Sequence, residues 1–370
     1  MSPAPPQQKA ARQLDLRRHE PVPPASRRRR PRTRRASGGV ELLDPLKDGR
    51  WQAFIARVPG AGVHHHRAWL DLLRSAYGYP LTACCVVDGA GSIRAGAPLA
   101  LVPDGPRRRR LACVPFAVRC GPLPLPDEDP APAHELVVAI DELRRSLGVP
   151  AELRGPIAPH PSAHVAANHR THQIPLRPGA RILPAADDAA SAGLVVERRT
   201  DARALGDFYR VHQAACRRRG VPTHPRRFIL GFAHLFDHGL GFVLLARDRG
   251  RPVAGAVLTS FNRILTFQYG ACAEGERSGP ARDLVVLAAI RWGCEAGMHT
   301  LDLGREDADD GLDFKLSLGA EERLVAYRQL RDDPPPRRCR DRGAWTAPLI
   351  RHTPAMVSRL LGEALYPRTA

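Results

Sequence analysis

An α/β fold with mixed α+β sheets, built as two similar halves, is what this sequence predicts, and three observations carry it. Apolar stripes at helical spacing alternate with short β-rich runs that turn back at glycine-containing pairs. The same order, helix then antiparallel hairpin then helix then strand, occurs twice along the chain. The 370 residues, 43% of them apolar, suffice for two cores of ordinary size.

The elements follow in order. "HHHRAWLDLLRSAYGYP" (64–80) sets Trp69, Leu72, Leu73 and Ala76 on one stripe and stops at Gly78, which predicts a helix. "LTACCVVDGAGSIRAGAPLALVPDG" reads as a hairpin with its turn at 89–91. "LACVPFAVRCGPLPLP" is a strand entering a Pro-rich loop, and "HELVVAIDELRRSL" (134–147) is an amphipathic helix. "PIAPHPSAHVAANHRTHQIPLRPGARILPAADD" has weak periodicity and reads as the irregular linker between the halves.

The second half opens on "DARALGDFYRVHQAACRRRG", a helix with Asp201 as N-cap and Gly220 as stop. "HPRRFILGFAHLFDHG" is a second helix. Three strands in hairpin order follow, turning at Arg249-Gly250 and Asn262-Arg263. "ARDLVVLAAIRWGCEAGM" is a long buried helix, "HTLDLGRE" a short strand, and "RLVAYRQL" the strand that closes the sheet. The expected division is a disordered basic tail (1–40), a first domain (41–180), a second domain (181–333) and a C-terminal extension (334–370) with a helix at 354–365.

Charge narrows the partners. The net charge is +18, but half of it sits in residues 1–40, whose eleven Lys and Arg face only Asp15 and Glu20. That tail lacks apolar periodicity and cannot offset the entropy of ordering, so it reads as disordered: an electrostatic arm for RNA or merely a solvated leader. No apolar run is long enough to span a bilayer, and no secretory signal is legible. The eight cysteines contain no CxxC pair, which points to packed, reduced thiols and a cytoplasmic location. Nothing in the sequence fixes an oligomeric state.

Metal ligation is not expected. His64, His65 and His66 are consecutive, His169 and His172 fall in the linker, and His234 and His238 have helical spacing without a glutamate or cysteine partner.

Of the 56 basic residues only Lys9, Lys47 and Lys315 are lysine. An ammonium is a compact donor where a guanidinium is a broad fork, so a lysine kept in an arginine-rich chain can mark a place that arginine does not fit. From composition alone, chance explains Lys315 as well.

In order along the chain, "HHHRAWLDLLRSAYG", "VPFAVRCGPL", "DFYRVHQAACRRRGVPTHPRRFI", "RPVAGAVLTSFNRILTFQYGA", "LAAIRWGCEAGMHTLDLGRE" and "GLDFKLSLGA" resemble FemAB-like proteins of the GNAT acyltransferase superfamily, including members with a BioF2-like domain. The likeness spans roughly residues 60 to 330. It implies two tandem GNAT-like (acyl-CoA N-acyltransferase) domains and transfer of an acyl or aminoacyl group to an amine across the cleft between them. Acyl-CoA or aminoacyl-tRNA would serve as co-substrate, with no tightly bound cofactor. The acceptor would be a cell-wall (peptidoglycan) precursor, a polysaccharide amine or a peptide-like metabolite.

The resemblance also suggests site residues. Phe314 and Lys315 match the family's late Phe-Lys pair, where the lysine steadies charge on the reacting carbonyl or a substrate carboxylate. The family's phosphate-contacting arginine matches Arg218, with Arg217 and Arg219 beside it. The nucleotide-contacting lysine of the Trp-bearing helix has no counterpart, since Leu73 or Arg74 stands there. From the residues themselves, Glu306 or Asp302 is a candidate general base at the end of the "LDLGRE" strand, a structural cap or pairing being the competing role, more so for Asp302 than for Glu306. Trp69, Tyr269, Arg305 and Arg219 join Arg218 as candidate substrate contacts. Gly279, Arg277 and Arg282 in "GERSGPARDL" are candidate donor contacts, as a weak anion nest. The competing reading is a non-catalytic nucleic-acid-binding or complex-scaffolding protein on the same fold, though aromatic interleaving for base stacking is absent.

Overall fold

The computed structural model describes residues 38–105, 107–126, 129–177, 193–275, 278–305, 312–334 and 347–352, with 360, 362–363 and 366. Residues 1–37 of the basic tail, Arg277, Glu306, Cys339 and most of the helix expected at 354–365 lie outside the described residues.

The first half runs β1 (Gly39–Leu43), α1 (Gly49–Arg57), α2 (Arg67–Tyr77), β2 (Leu81–Val87), β3 (Ile93–Pro103), β4 (Arg109–Ala112), β5 (Leu123–Pro124), α3 (Ala131–Ser146), β6 (Ala151–Arg154) and β7 (Ala163–Pro175). The second runs β8 (Leu194–Arg199), α4 (Ala202–Arg219), α5 (Arg226–Leu230), α6 (Phe232–Asp237), β9 (Gly241–Asp248), β10 (Arg251–Phe261), β11 (Ile264–Cys272), α7 (Ser278–Glu295), β12 (Thr300–Arg305), α8 (Leu312–Ser317) and β13 (Glu321–Leu330). A short α9 (Ala347–His352) follows.

Local chemistry accounts for the helix ends. In α4 the Asp201 carboxylate accepts from the Ala204 N–H at 3.0 Å, and Gly220 takes φ 71° at the other end. The single helix expected over 224–239 is two, α5 and α6, which meet at Gly231. A Cβ on Gly231 would lie 2.4 Å from Leu72 Cδ1, so this junction lets α2 press in. The turns at Arg249-Gly250 and Asn262-Arg263 have positive φ at both positions, the backbone that tight hairpins need.

All strands form one 13-stranded sheet in the order β1-β2-β3-β4-β6-β13-β7-β12-β11-β10-β9-β8, with β5 beside β3. Exchanging the two halves maps this order onto itself. Each half ends in a parallel pair, β4 with β6 and β11 with β12, and each gives its last strand to the other: β13 pairs with β6, and β7 pairs with β12. This is a tandem arrangement of two GNAT-like units, as the sequence predicts.

Two expectations change. The stretch read as an irregular linker contains β7, a 13-residue strand at the middle of the sheet, so His169 and His172 lie on a strand. The strand expected to close the sheet, β13, is central too. The β7–β13 ladder joins the halves.

Helices cover both faces. On one, α3 packs over β2, β3, β4 and β6, while α7 packs over the second half's strands. On the other, α1 covers the first hairpin, and α2 merges with α4, α5 and α6 into one core holding Trp69, Phe208, Phe228 and Phe232, all fully buried. Each such side chain contributes about 1.5–3 kcal/mol through burial.

Candidate functional site

Strands β11 and β12 are paired only over Ile264↔Thr300, Leu265↔Leu301 and Thr266↔Asp302, although β11 continues to Cys272 and β12 to Arg305. The two parallel strands therefore diverge into a V. Just past the parting, β11 bulges: Phe267 faces Leu258 and Tyr269 faces Val257, leaving Gln268 outside the ladder. The bulge also switches faces. Leu265 and Phe267 pack toward α7, whereas Tyr269 and Ala271 pack into the core under α4.

The loop at 113–122, from the first half, stands over the mouth of this V. Val118 Cγ2 and the Phe267 carbonyl both lie about 4 Å from where a Cβ on Gly304 would project (4.0 and 3.8 Å). Val114 and Phe116 in the loop have φ 40° and 62°, conformations that bulky L-residues avoid and that surrounding contacts must impose. Arg154 imposes them from β6, donating to the Ala117 and Val114 carbonyls at 2.7 and 3.4 Å. Its charge is balanced by Glu152 at 2.8 Å, and it lies over the Tyr327 ring. Tyr327 in turn donates to the Val118 carbonyl at 3.1 Å.

Gln268 ties loop and strand together. Its Nε2 donates to the Phe116 carbonyl at 3.4 Å, which turns Oε1 toward His64 Nε2 at 3.0 Å. His64 must then carry its proton on Nε2. Burial pushes its pKa down to about 3, so the ring is a neutral donor at physiological pH. His65, lowered to about 4 chiefly by burial, faces the Gly121 carbonyl at 3.2 Å, and His66 accepts from the Ala68 N–H to cap α2. The three consecutive histidines thus serve three separate contacts. No group of three or more His, Cys, Asp or Glu among the described residues is arranged to hold a metal.

The structure distributes the remaining candidates as follows. Asp302 accepts from the Gly304 N–H at 2.9 Å and from Gln173 Nε2 at 3.1 Å, and Arg119 lies 3.9 Å away, so it organises the parting strands as a cap does. Arg305, the last residue of β12, is exposed at the open end. Lys315 is half-buried on α8, beside Phe314, which packs on the core beneath α7. Arg218, exposed at the end of α4, donates to the Cys272 carbonyl at 3.0 Å, where β11 ends, and Arg219 is exposed beside it. Gly279 and Arg282 lie in the first turns of α7, with Arg282 Nε on Asp283 at 2.9 Å. Arg277 and Glu306 lie outside the described residues.

Two aromatic candidates are placed inside. Trp69 is fully buried, edge-on to His64 at 4.6 Å. Tyr269 turns its ring into the core, and burial holds its phenol well above the ordinary value. The basic group at 107–110 is also divided, because Arg110 is buried beside Glu152 at 3.8 Å. The thiols of Cys84 and Cys113 are pushed up to about 12 by burial, which suits packing rather than nucleophilic work.

Gln268, His64 and the 113–122 loop escaped sequence reasoning as a group. The only signals were Gln268 between Phe267 and Tyr269 in a strand, and the "VPF" run between two strands.

Known proteins bear on this geometry. The family described as acetyltransferase (GNAT) domain matches residues 183–316, the part that includes the V. The curated proteins contain no match. Among solved structures, that of FemX is similar at 13% identity, covering 78% of this chain and 97% of that one with a TM-score of 0.52. The C-terminal domain of a protein described as a lysylphosphatidylglycerol synthetase from Agrobacterium fabrum is similar at 14% identity, covering 86% and 96% with a TM-score of 0.50. At these identities the likeness is one of fold. The matched stretch, residues 183–316, belongs to the second half of a sheet that two similar halves build together.

Proposed function

We propose that the protein is an N-acyltransferase that moves an acyl or aminoacyl group onto an amine in the V between β11 and β12. The observation that carries this reading is the parting of two parallel strands beside a bulged residue, Gln268, whose side chain is held by His64 and by the Phe116 carbonyl. A bulge interrupts the ladder locally, which gives a carbonyl entering the V a place to meet backbone donors.

Attack of the amine nitrogen on an ester or thioester carbonyl makes a tetrahedral oxyanion. The nitrogen then loses a proton, and the leaving sulfur or oxygen takes one. In this reading Lys315 supplies the cation that steadies the oxyanion or a substrate carboxylate, a role worth about 3–4 kcal/mol in the transition state. Phe314 anchors α8 on the core, and Glu306 takes the proton. Arg218, Arg219 and Arg305 hold anionic substrate groups at the open end. Gly279, Arg277 and Arg282 meet donor phosphates at the start of α7. Trp69 and Tyr269 act through the packing of the substrate side.

The donor is acyl-CoA or aminoacyl-tRNA. The GNAT domain match favours the first, and the name of the lysylphosphatidylglycerol synthetase neighbour speaks for the second. Mass spectrometry of an amine panel, incubated separately with acetyl-CoA and with charged tRNA, tests the reading. An amide product from one donor supports it, and no product from either across the panel contradicts it.

A further inference from the structure

Next to the V, on the face of the sheet opposite α7, both halves contribute to an aromatic slot. Its walls are Tyr77 and Phe116 from the first half and His224, Phe228 and Tyr269 from the second. The slot is occupied. Tyr366, from the C-terminal extension, lies nearly parallel to His224 at 3.9 Å and at a tilt to Phe116 at 5.8 Å. Gly362 lies against the backbone just before His224, since a Cβ on it would be 2.1 Å from the Thr223 carbonyl oxygen.

Three features make this more than ordinary packing. Phe116 is the residue whose carbonyl receives Gln268 Nε2, so the slot is one side chain away from the bulge. Tyr77 Oη meets His224 Nδ1 at 3.0 Å, whereas Tyr269 Oη is buried with no hydrogen-bond partner among the described residues. Burial first, and then the nearby phenols, hold Tyr77 and Tyr269 above the ordinary value, and both count Tyr366 among those neighbours, so a ring placed here brings its hydroxyl close to other hydroxyls.

We propose that this slot is a binding site for the aromatic ring of a phenol-bearing amine, the acceptor, and that Tyr366 is its resident occupant in the free protein. Calling the ligand an acceptor rests on the transferase reading above; binding of the ring does not. An incoming ring must displace Tyr366, so self-occupancy lowers the apparent affinity by the fraction of molecules in which the slot is open.

The test is calorimetric titration of the full chain and of Tyr366→Ala, Tyr366→Phe and Gly362→Ala with tyramine, p-cresol and n-butylamine. Melting curves establish that each variant is folded. Gly362→Ala presses on the Thr223 carbonyl and loosens Tyr366 while keeping its ring, and so serves if Tyr366→Ala is unstable. Tyr366→Ala and Gly362→Ala are expected to bind tyramine and p-cresol about tenfold or more tighter than the unaltered chain, with Tyr366→Phe unchanged and n-butylamine unaffected. Adding Tyr269→Phe to Tyr366→Ala weakens the gain. Phenols binding the variants no better than the unaltered chain, or n-butylamine gaining equally, overturns the proposal. Tight phenol binding without acylation of tyramine keeps the slot and sinks the transferase reading. Acylation of alkyl amines without phenol binding does the reverse.

Discussion

His64 Nε2 and Gln268 Oε1 stand 3.0 Å apart although 204 residues separate them, and this contact joins the first half's helix entry to the bulge beside the V. If the bulge positions the reacting carbonyl, loosening it costs rate rather than fold. Gln268→Ala and His64→Ala are expected to lower turnover on the acylated amine by about 10- to 100-fold, as misplacement by an ångström does. Gln268→Glu, which removes the donor to Phe116, should behave like Gln268→Ala. Steady-state kinetics on the accepted donor check this.

The buried histidines make stability depend on pH. His64 is lowered to about 3, His65 and His212 to about 4, and His224 well below its ordinary value, in each case chiefly by burial. Below pH 6.5 the unfolded chain therefore binds protons that the folded one refuses. Stability is full above the unfolded value and falls as pH drops from 6.5 toward 4. Each unit of difference is about 1.4 kcal/mol per group, so four such groups can consume several kcal/mol of a fold worth about 5–15. Urea midpoints from pH 7.0 to 4.5, above the carboxylate range, should fall monotonically, and a flat profile would contradict the placement of these rings.

Asn262, at φ 47° in the β10–β11 turn, uses its amide to donate to the Ile55, Val58 and Ala61 carbonyls at 3.0, 3.0 and 3.2 Å, closing the end of α1 in the other half. Asn262→Gly keeps the turn but strands these acceptors, for a loss of about 1–3 kcal/mol. Asn262→Ala adds the strain of a left-handed alanine, about 1 kcal/mol more. Denaturant melts of the two variants should rank in that order.

Arg154 is buried, paired with Glu152 and bonded to the strained loop. Arg154→Met leaves Glu152 with Arg110 at 3.8 Å as its counter-charge and strands the Ala117 and Val114 carbonyls, and is expected to cost about 1–3 kcal/mol. The Glu152→Gln/Arg154→Met double variant should regain neither stability nor turnover, because Arg110 then loses its carboxylate and the loop still lacks its anchor. Chemical denaturation and kinetics together separate the two effects.

Much of the fold was legible because local signals and tertiary needs agree. The Arg249-Gly250 and Asn262-Arg263 turns, the Asp201 cap and the Gly78 and Gly220 stops all stand where the residues imply. The central ribbon was not, because β7 and β13 find their partners across the halves, and no sequence window contains both. β7 also carries His164, Asn168, His169 and Arg170, which mask its period, since its strands are only partly covered. β1, β8 and α1 were not expected at all; the first two are five- and six-residue edge strands with little pattern to offer. The helix broken at Gly231 shows a close approach by Leu72 that only packing reveals. Among the candidates, Trp69, Arg218 and Lys315 were named by motif likeness alone, while His64, Gln268 and Phe116 meet through a bulge and a strained loop, neither of which has a one-dimensional signature.

The most direct measurement is single-turnover acylation of an accepted amine by the unaltered chain, Lys315→Ala and Gln268→Ala, each verified as folded by its melting curve. The account predicts amide formation by the unaltered chain and a loss of about 100-fold or more for Lys315→Ala, in keeping with removal of one oxyanion donor. Full rate in both variants would contradict the claim that acyl transfer takes place in the V between β11 and β12.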